Sequence, residues 1–302
     1  MSKTQTIALK VDIDTHDSDA WCVNAQGNAA AVLRANMVEV YKGPDFTRRA
    51  FLVYVDDKSD LAPFKDGWLA YGETGATYID THGAFQHLQT IAPVHGVRDE
   101  IILGNNGFAI FANRRFWAFS HTHLVHDAMA LGAKRFLMTD SKEQVYLVSD
   151  DDKRLLDVSG THLHACTLFF AVERPGNDVS ILDYDLRTLT KTPWQLNSDE
   201  RIQRVAAIEK KRREGVVITN KRAIVFKIYK GEATPFAICE SDDITNVYHW
   251  QGFIITENNK SYHVWLEEPV SGLHVLTFTK DPGYATIALQ ARNLLRRRGR
   301  GK

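Results

Sequence analysis

The segment HTHLVHD, residues 121–127, gathers His121, His123, His126 and Asp127, and His162 and His164 form a second His-x-His pair further on. Imidazole nitrogens ligate zinc, and alternate residues of a strand share a face. On a strand, His121 and His123 would therefore point one way and could hold a metal. The reading preferred here is plainer: a turn between two sheets, with polar and partly exposed imidazoles. Two acidic runs receive similar treatment. A calcium loop needs oxygen ligands on a shaped turn, usually with a glycine. VSDDDKRL, which holds Asp150, Asp151 and Asp152, has no glycine, and neither has ESDDIT at 240–245. Both are expected to be solvated loops.

The 121–127 string resembles the His-x-His-x-Asp-His metal motif of metallo-β-lactamase-like hydrolases. It departs at the decisive place, because Val125 and not aspartate precedes the third histidine. That resemblance also implies an αββα sandwich, and the chain lacks the helix-rich alternation such a fold requires. No G-x-S-x-G, Walker A, G-x-G-x-x-G or H-E-x-x-H motif occurs. The expectation is a protein that is not an enzyme, with no catalytic residue, no cofactor and no metal. Carboxylates assembled from separate repeats around a channel need no local spacing, so a channel-centred hydrolase stands as an alternative.

Two basic runs suggest a different chemistry. EKKRREG, residues 209–215, carries Lys210, Lys211, Arg212 and Arg213. After Phe278, Asp281-Pro282-Gly283 marks a turn, and Ile287, Ala288, Ala291, Leu294 and Leu295 then recur with the period of one helix face. Arg292, Arg296, Arg297, Arg298 and Arg300 cluster toward the end of that helix, where the macrodipole favours cations. The arginines and the Leu294–Leu295 pair, together with the 210–213 run, are the candidate partner-binding residues. The expected partner is a protein. Nucleic acid is the alternative, and its signature would be binding that weakens steeply with salt.

The elements that would carry these residues repeat. GVVITNKRAIVFKIYKG, from Gly215, is a short apolar strand, a polar break and a second strand. Relatives begin at Ala20, Gly67, Ile101, Arg135, Thr167 and Gly252, making seven. Those are the cues of strand–turn–strand units. The mean step of about 40 residues is that of one four-stranded propeller blade. Two further candidate strands flank most copies, one on either side, among them 202–209, 233–240, 244–251 and 273–278. Around the first copy they are 7–13 and 37–43. The chain thus resembles the β-propeller class in architecture. It has no Trp-Asp pair, no paired glycines and no Ser-x-Asp-x-Gly turn, so it carries no WD40, kelch or sialidase signature. The expected fold is all-β, a seven-bladed propeller over 1–279 followed by a basic helix or tail over 280–302, with six or eight blades, or two stacked β-sandwiches, as the alternatives. Residues 7–13 would complete the last blade. Trp21, Trp68, Trp117, Trp194, Trp250 and Trp265 are expected to pack between sheets.

Composition bounds the function. The chain has 302 residues, 44% hydrophobic and 25% charged, enough for a sizeable core. Its 37 basic and 37 acidic residues cancel, which argues against a whole-surface binder of nucleic acid or membrane. Cys22, Cys166 and Cys239 are an odd, scattered set, read as free thiols in a reducing compartment. The first residues hold no apolar signal region and no stretch suits a bilayer, so a cytoplasmic protein without a membrane partner is expected. The function expected is an interaction scaffold, a subunit of a larger assembly such as a virion or tail, docking through its loop faces and its basic tail.

Overall fold

The computed structural model describes residues 18–43, 46, 48–132, 134–150, 152–174, 177–209, 213–250, 253–266 and 274–279. Within them the chain forms seven four-stranded antiparallel sheets, each with its strands in sequence order. The first is β1 (Ala20–Val23), β2 (Ala29–Arg34), β3 (Met37–Lys42) and β4 (Arg48–Tyr54). The second is β5 (Asp60–Phe64), β6 (Gly67–Gly72), β7 (Gly75–Ile79) and β8 (Phe85–Leu88). The third is β9 (Val94–Arg98), β10 (Ile101–Gly104), β11 (Gly107–Ala112) and β12 (Arg115–Ser120). The fourth is β13 (Val125–Gly132), β14 (Arg135–Asp140), β15 (Gln144–Val148) and β16 (Lys153–Ser159). The fifth is β17 (His162–Ala165), β18 (Phe170–Glu173), β19 (Asp178–Leu182) and β20 (Trp194–Gln195). The sixth is β21 (Ile202–Glu209), β22 (Glu214–Thr219), β23 (Arg222–Tyr229) and β24 (Glu232–Glu240). The seventh is β25 (Asn246–Trp250), β26 (Phe253–Glu257), β27 (Ser261–Leu266) and β28 (His274–Thr279). These are blades of the β-propeller class. The chain divides into two compact units, residues 1–142 with 146–154, and residues 143–145 with 155–302. Among the described residues no helix is long and apolar enough to cross a membrane. The 7–13 strand and the 280–302 helix expected from the sequence lie outside the described residues.

Burial explains why the sequence reads as it does. In the first unit, Ala29, Ala31, Leu33 and Val40 of the first sheet pack on Trp68, Ala70 and Ile79 of the second. Leu69, between Trp68 and Ala70, turns the other way and joins Ile102 and Phe111 of the third sheet. Phe108 then packs with Phe136 and Met138 of the fourth. The second unit repeats the device. Val217 meets Ile181 of the fifth sheet and Phe169 just before β18, while Val216 and Ile218 meet Ile254 and Trp265 of the seventh. A strand alternates its side chains, so a strand between two sheets must be apolar on both faces. That is why β22 is buried at every position. Fourth strands alternate instead, as the mostly exposed β12 does.

The sequence frame holds for six blades, in which the polar-broken hairpin is the second and third strand. In the first blade it slips by one strand. The hairpin from Ala20 supplies β1 and β2, and β2 pairs onward with β3. The turn between β2 and β3 is Ala35-Asn36, with Ala35 at φ 48°. It is short and carries a single turn residue, Asn36, so its signal is weaker than that of the Gln26-Gly27-Asn28 break between β1 and β2.

A recurrent hydrogen bond closes several blades. The residue just before the first strand donates its N–H to the carbonyl near the end of the second. Asp19 bonds Leu33 at 2.9 Å, Ser59 bonds Tyr71 at 3.0 Å, Thr161 bonds Glu173 at 2.8 Å and Thr245 bonds Glu257 at 2.7 Å.

Candidate functional site

The histidine run does not converge. His121 and His123 precede β13 in a bend and not on a strand, so they do not share a face. Their rings touch edge to face, 5.7 Å apart. His121 is buried, His123 half-buried and His126 exposed. The Nε2 of His121 lies 3.0 Å from Asp140, and its Nδ1 lies 3.1 Å from Lys153 Nζ. Asp140 also accepts the backbone N–H of Lys142 at 3.0 Å. Burial pulls the His121 imidazole below its ordinary range. Asp140 opposes that shift and Lys153 adds to it. Asp127 is buried and pairs with Arg98. The group is thus a buried polar seam between the third and fourth blades, more buried than the sequence suggests. His164 on β17 lies 3.4 Å from Glu173, while His162 is exposed beside Thr161. Among the described residues no group of three His, Cys, Asp or Glu could hold a metal.

Of the basic candidates, only Arg213 lies within the described residues. It is exposed in the turn into β22, at φ 56°, and its carbonyl accepts the N–H of Ile228 at 3.0 Å. Lys210, Lys211, Arg212, Arg292, Leu294, Leu295, Arg296, Arg297, Arg298 and Arg300 lie outside them. The acidic runs are solvated where described. Asp150 pairs with Lys134, and Asp242 and Asp243 are exposed.

Two concave surfaces in the first unit meet at Phe85, the first residue of β8. One, of about 390 Å³, lies between β4 and β8 and is lined by Leu52, Tyr54, Asp56, Lys58, Thr74 and His87 among others. The other, of about 520 Å³, is lined by Lys65, Asp66, Tyr78, Gln86, Phe111 and Arg114 among others. Phe85 borders both. His87 faces the first and Gln86 the second, as strand alternation requires. Both volumes fall in the range of ligand pockets, roughly 300–1,000 Å³. Leu52, Tyr54 and Phe85 are 46%, 64% and 52% exposed, a concentration of large apolar side chains in water. The Phe85 ring packs edge-on against His87 at 5.2 Å, and His87 Nδ1 lies 2.9 Å from Thr77 Oγ1.

Several polar groups of the two grooves are already engaged. Lys58 is 8% exposed, and its ammonium donates to the carbonyl of Asp56 at 2.6 Å and to Thr74 Oγ1. Burial pulls that ammonium below the usual lysine range, against the pull of Asp56 and Asp57. In the wider groove, burial raises the Tyr78 phenol, as does its hydrogen bond to Asp66. Lys65 pairs with Glu100, and Gln86 donates to the carbonyl of Arg114. This is an arrangement for holding shape, with apolar side chains left free to contact another molecule.

No family model and no curated protein matches the chain. Solved structures resemble it at low identity. PorZ, described as an essential surface component of the type-IX secretion system of Porphyromonas gingivalis, is 12% identical with a TM-score of 0.41. The match covers 89% of this chain and 46% of PorZ, less than half of that protein. BamB from Moraxella catarrhalis is 13% identical with a TM-score of 0.44, covering 88% of this chain and 89% of BamB. Saccharomyces cerevisiae Sqt1 is 6% identical with a TM-score of 0.48, covering 87% of this chain and 85% of Sqt1. At such identities the likeness concerns fold and brings no residue, ligand or partner to this chain.

Sequence reasoning missed the Phe85 surface. Leu52 and Tyr54 lie beyond the strands expected of the first blade, which end at residue 43, and Phe85 lies in no strand expected of the second. Exposure depends on which strand is fourth in its blade. The slipped frame of the first blade hid that for β4. Two tryptophans also depart from the inter-sheet packing expected. Trp68 and Trp265 are buried in it, but Trp21 and Trp117 are about half exposed. Trp117 sits on a fourth strand, with Lys134 Nζ 5.1 Å from its ring.

Proposed function

We propose that this protein is a non-enzymatic β-propeller scaffold that docks a protein partner through the groove between β4 and β8, as a subunit of a larger assembly. The observation that carries the reading is Leu52, Tyr54 and Phe85, large and exposed, around a concave surface on a rigid antiparallel frame. Binding energy at interfaces concentrates in a few such anchors, aromatic ones above all. The basic runs at 210–213 and 292–300 are a second point of attachment. The thiols Cys22 and Cys239 are both pushed up to about 12 by burial, and a thiol held protonated is a poor nucleophile, so neither is a candidate for thiol chemistry.

The test places a photo-crosslinking benzoylphenylalanine at position 85, with position 117 as an equally exposed control, and irradiates the protein in its native cell. A discrete protein adduct from position 85 that is lost on Tyr54→Ala supports the groove. Equal adducts from both positions, or none from position 85, would sink it.

A further inference from the structure

We propose that the groove between β4 and β8 holds an extended arginine- or lysine-bearing segment of the partner. Its aliphatic side chains lie on Leu52, Tyr54 and Phe85, and its cationic heads reach Asp56, Asp57 and Glu73. This rests on the docking reading above and adds the chemistry of the partner.

The charges at the mouth decide it. Asp56, Asp57 and Glu73 are exposed. Asp56, Lys58 and Thr74 line the groove, Asp57 and Glu73 adjoin them along the chain, and the loop after β4 is stitched to the β6–β7 turn. Lys58 bonds both the Asp56 carbonyl and Thr74 Oγ1, and that hydroxyl itself donates to the Asp56 carbonyl at 2.6 Å. The backbone of Gly72 runs so close that a methyl group there would come within 3.0 Å of the Asp57 carbonyl. Lys58, the nearby cation, is buried with its hydrogen bonds spent on uncharged oxygens. The three carboxylates therefore face water above an apolar floor. Long basic side chains match that pairing, since their stems lie on apolar surface while the charged heads stay in water. A cation can also sit over the Tyr54 ring. An acidic segment would meet three like charges and is disfavoured.

The test is fluorescence anisotropy of the full chain with a labelled peptide of alternating leucine and arginine, about eight residues long. A leucine–glutamate peptide of equal length is the control. Binding of the basic peptide alone is expected, weakening about tenfold as salt rises from about 0.05 to about 0.5 M. Asp56→Asn combined with Glu73→Gln should weaken binding about tenfold, and so should Phe85→Ala, with the unfolding midpoint unchanged. If the acidic peptide binds as well, or if both variants bind like the parent, the inference is overturned. Should position 85 still trap a partner while the basic peptide fails to bind, docking stands and only the basic segment falls. Failure of both experiments removes both.

Discussion

Buried His121 is held by opposing neighbours, and its titration follows from them. Burial lowers its affinity for a proton, Asp140 raises it and Lys153 lowers it further, with a net shift below the ordinary 6.5. In the unfolded chain the imidazole protonates near 6.5, so between that pH and the lower folded pKa the unfolded state binds more protons. The contribution of His121 is then full above about 6.5 and lost as pH falls through the folded value. Urea unfolding should show stability declining from pH 7 to pH 5.5, with a shallower decline in His121→Gln. Identical slopes would remove His121 as the cause. Asp140→Ala leaves the imidazole and the Lys142 N–H without their acceptor, and about 1–3 kcal/mol of stability should be lost at pH 7. The sequence showed these histidines but not their role, because Asp140 is 19 positions from His121, at the end of β14. Spacing along the chain reports neighbours on one element, whereas this bond depends on which strand follows the bend.

At the scale of the strand and its turn, the sequence was more legible. Central strands such as β6 and β22 announce themselves as unbroken apolar runs, and their turns carry glycine or asparagine. Gly75 shows what such a turn requires. It opens β7 at φ +106°, and a Cβ there would stand 2.0 Å from the carbonyl oxygen of Leu88 on β8. Both the backbone conformation and the approach of β8 exclude a side chain. Gly75→Ala should cost about 1–3 kcal/mol in urea unfolding, with a matching loss of crosslinking from position 85, because β8 carries Phe85. Trp68→Ala, which empties the contact between the first two blades, should cost about 3–5 kcal/mol. Phe85→Ala, at a half-exposed site, should stay within about 0.5 kcal/mol. A large stability loss at Phe85 would mean the ring is core and not contact surface. Exposure of β4 and β8 was illegible for a related reason. First and fourth strands look alike in sequence, and a turn without glycine, Ala35-Asn36, moved the frame of the first blade.

For the whole molecule, zero net charge hides a segregation of sign. Asp56, Asp57 and Glu73 gather at one groove, while residues 291–302 carry arginine and lysine with no acid among them. A partner touching both would need a basic segment for the groove and an acidic surface for the other stretch. All seven described sheets end by Thr279. A chain stopped there should therefore keep its circular dichroism and unfolding midpoint, and the partner trapped at position 85 should bind it more weakly, with a shallower dependence on salt. Phe85→Asp in the full chain should cost more than tenfold in affinity, through loss of the aromatic contact and desolvation of the new carboxylate. If the two contacts are independent, the losses add in the double variant, as they do for sites without shared neighbours. If Phe85→Asp costs nothing once residues 280–302 are removed, the two changes act on a single contact. The groove would then be no docking site of its own.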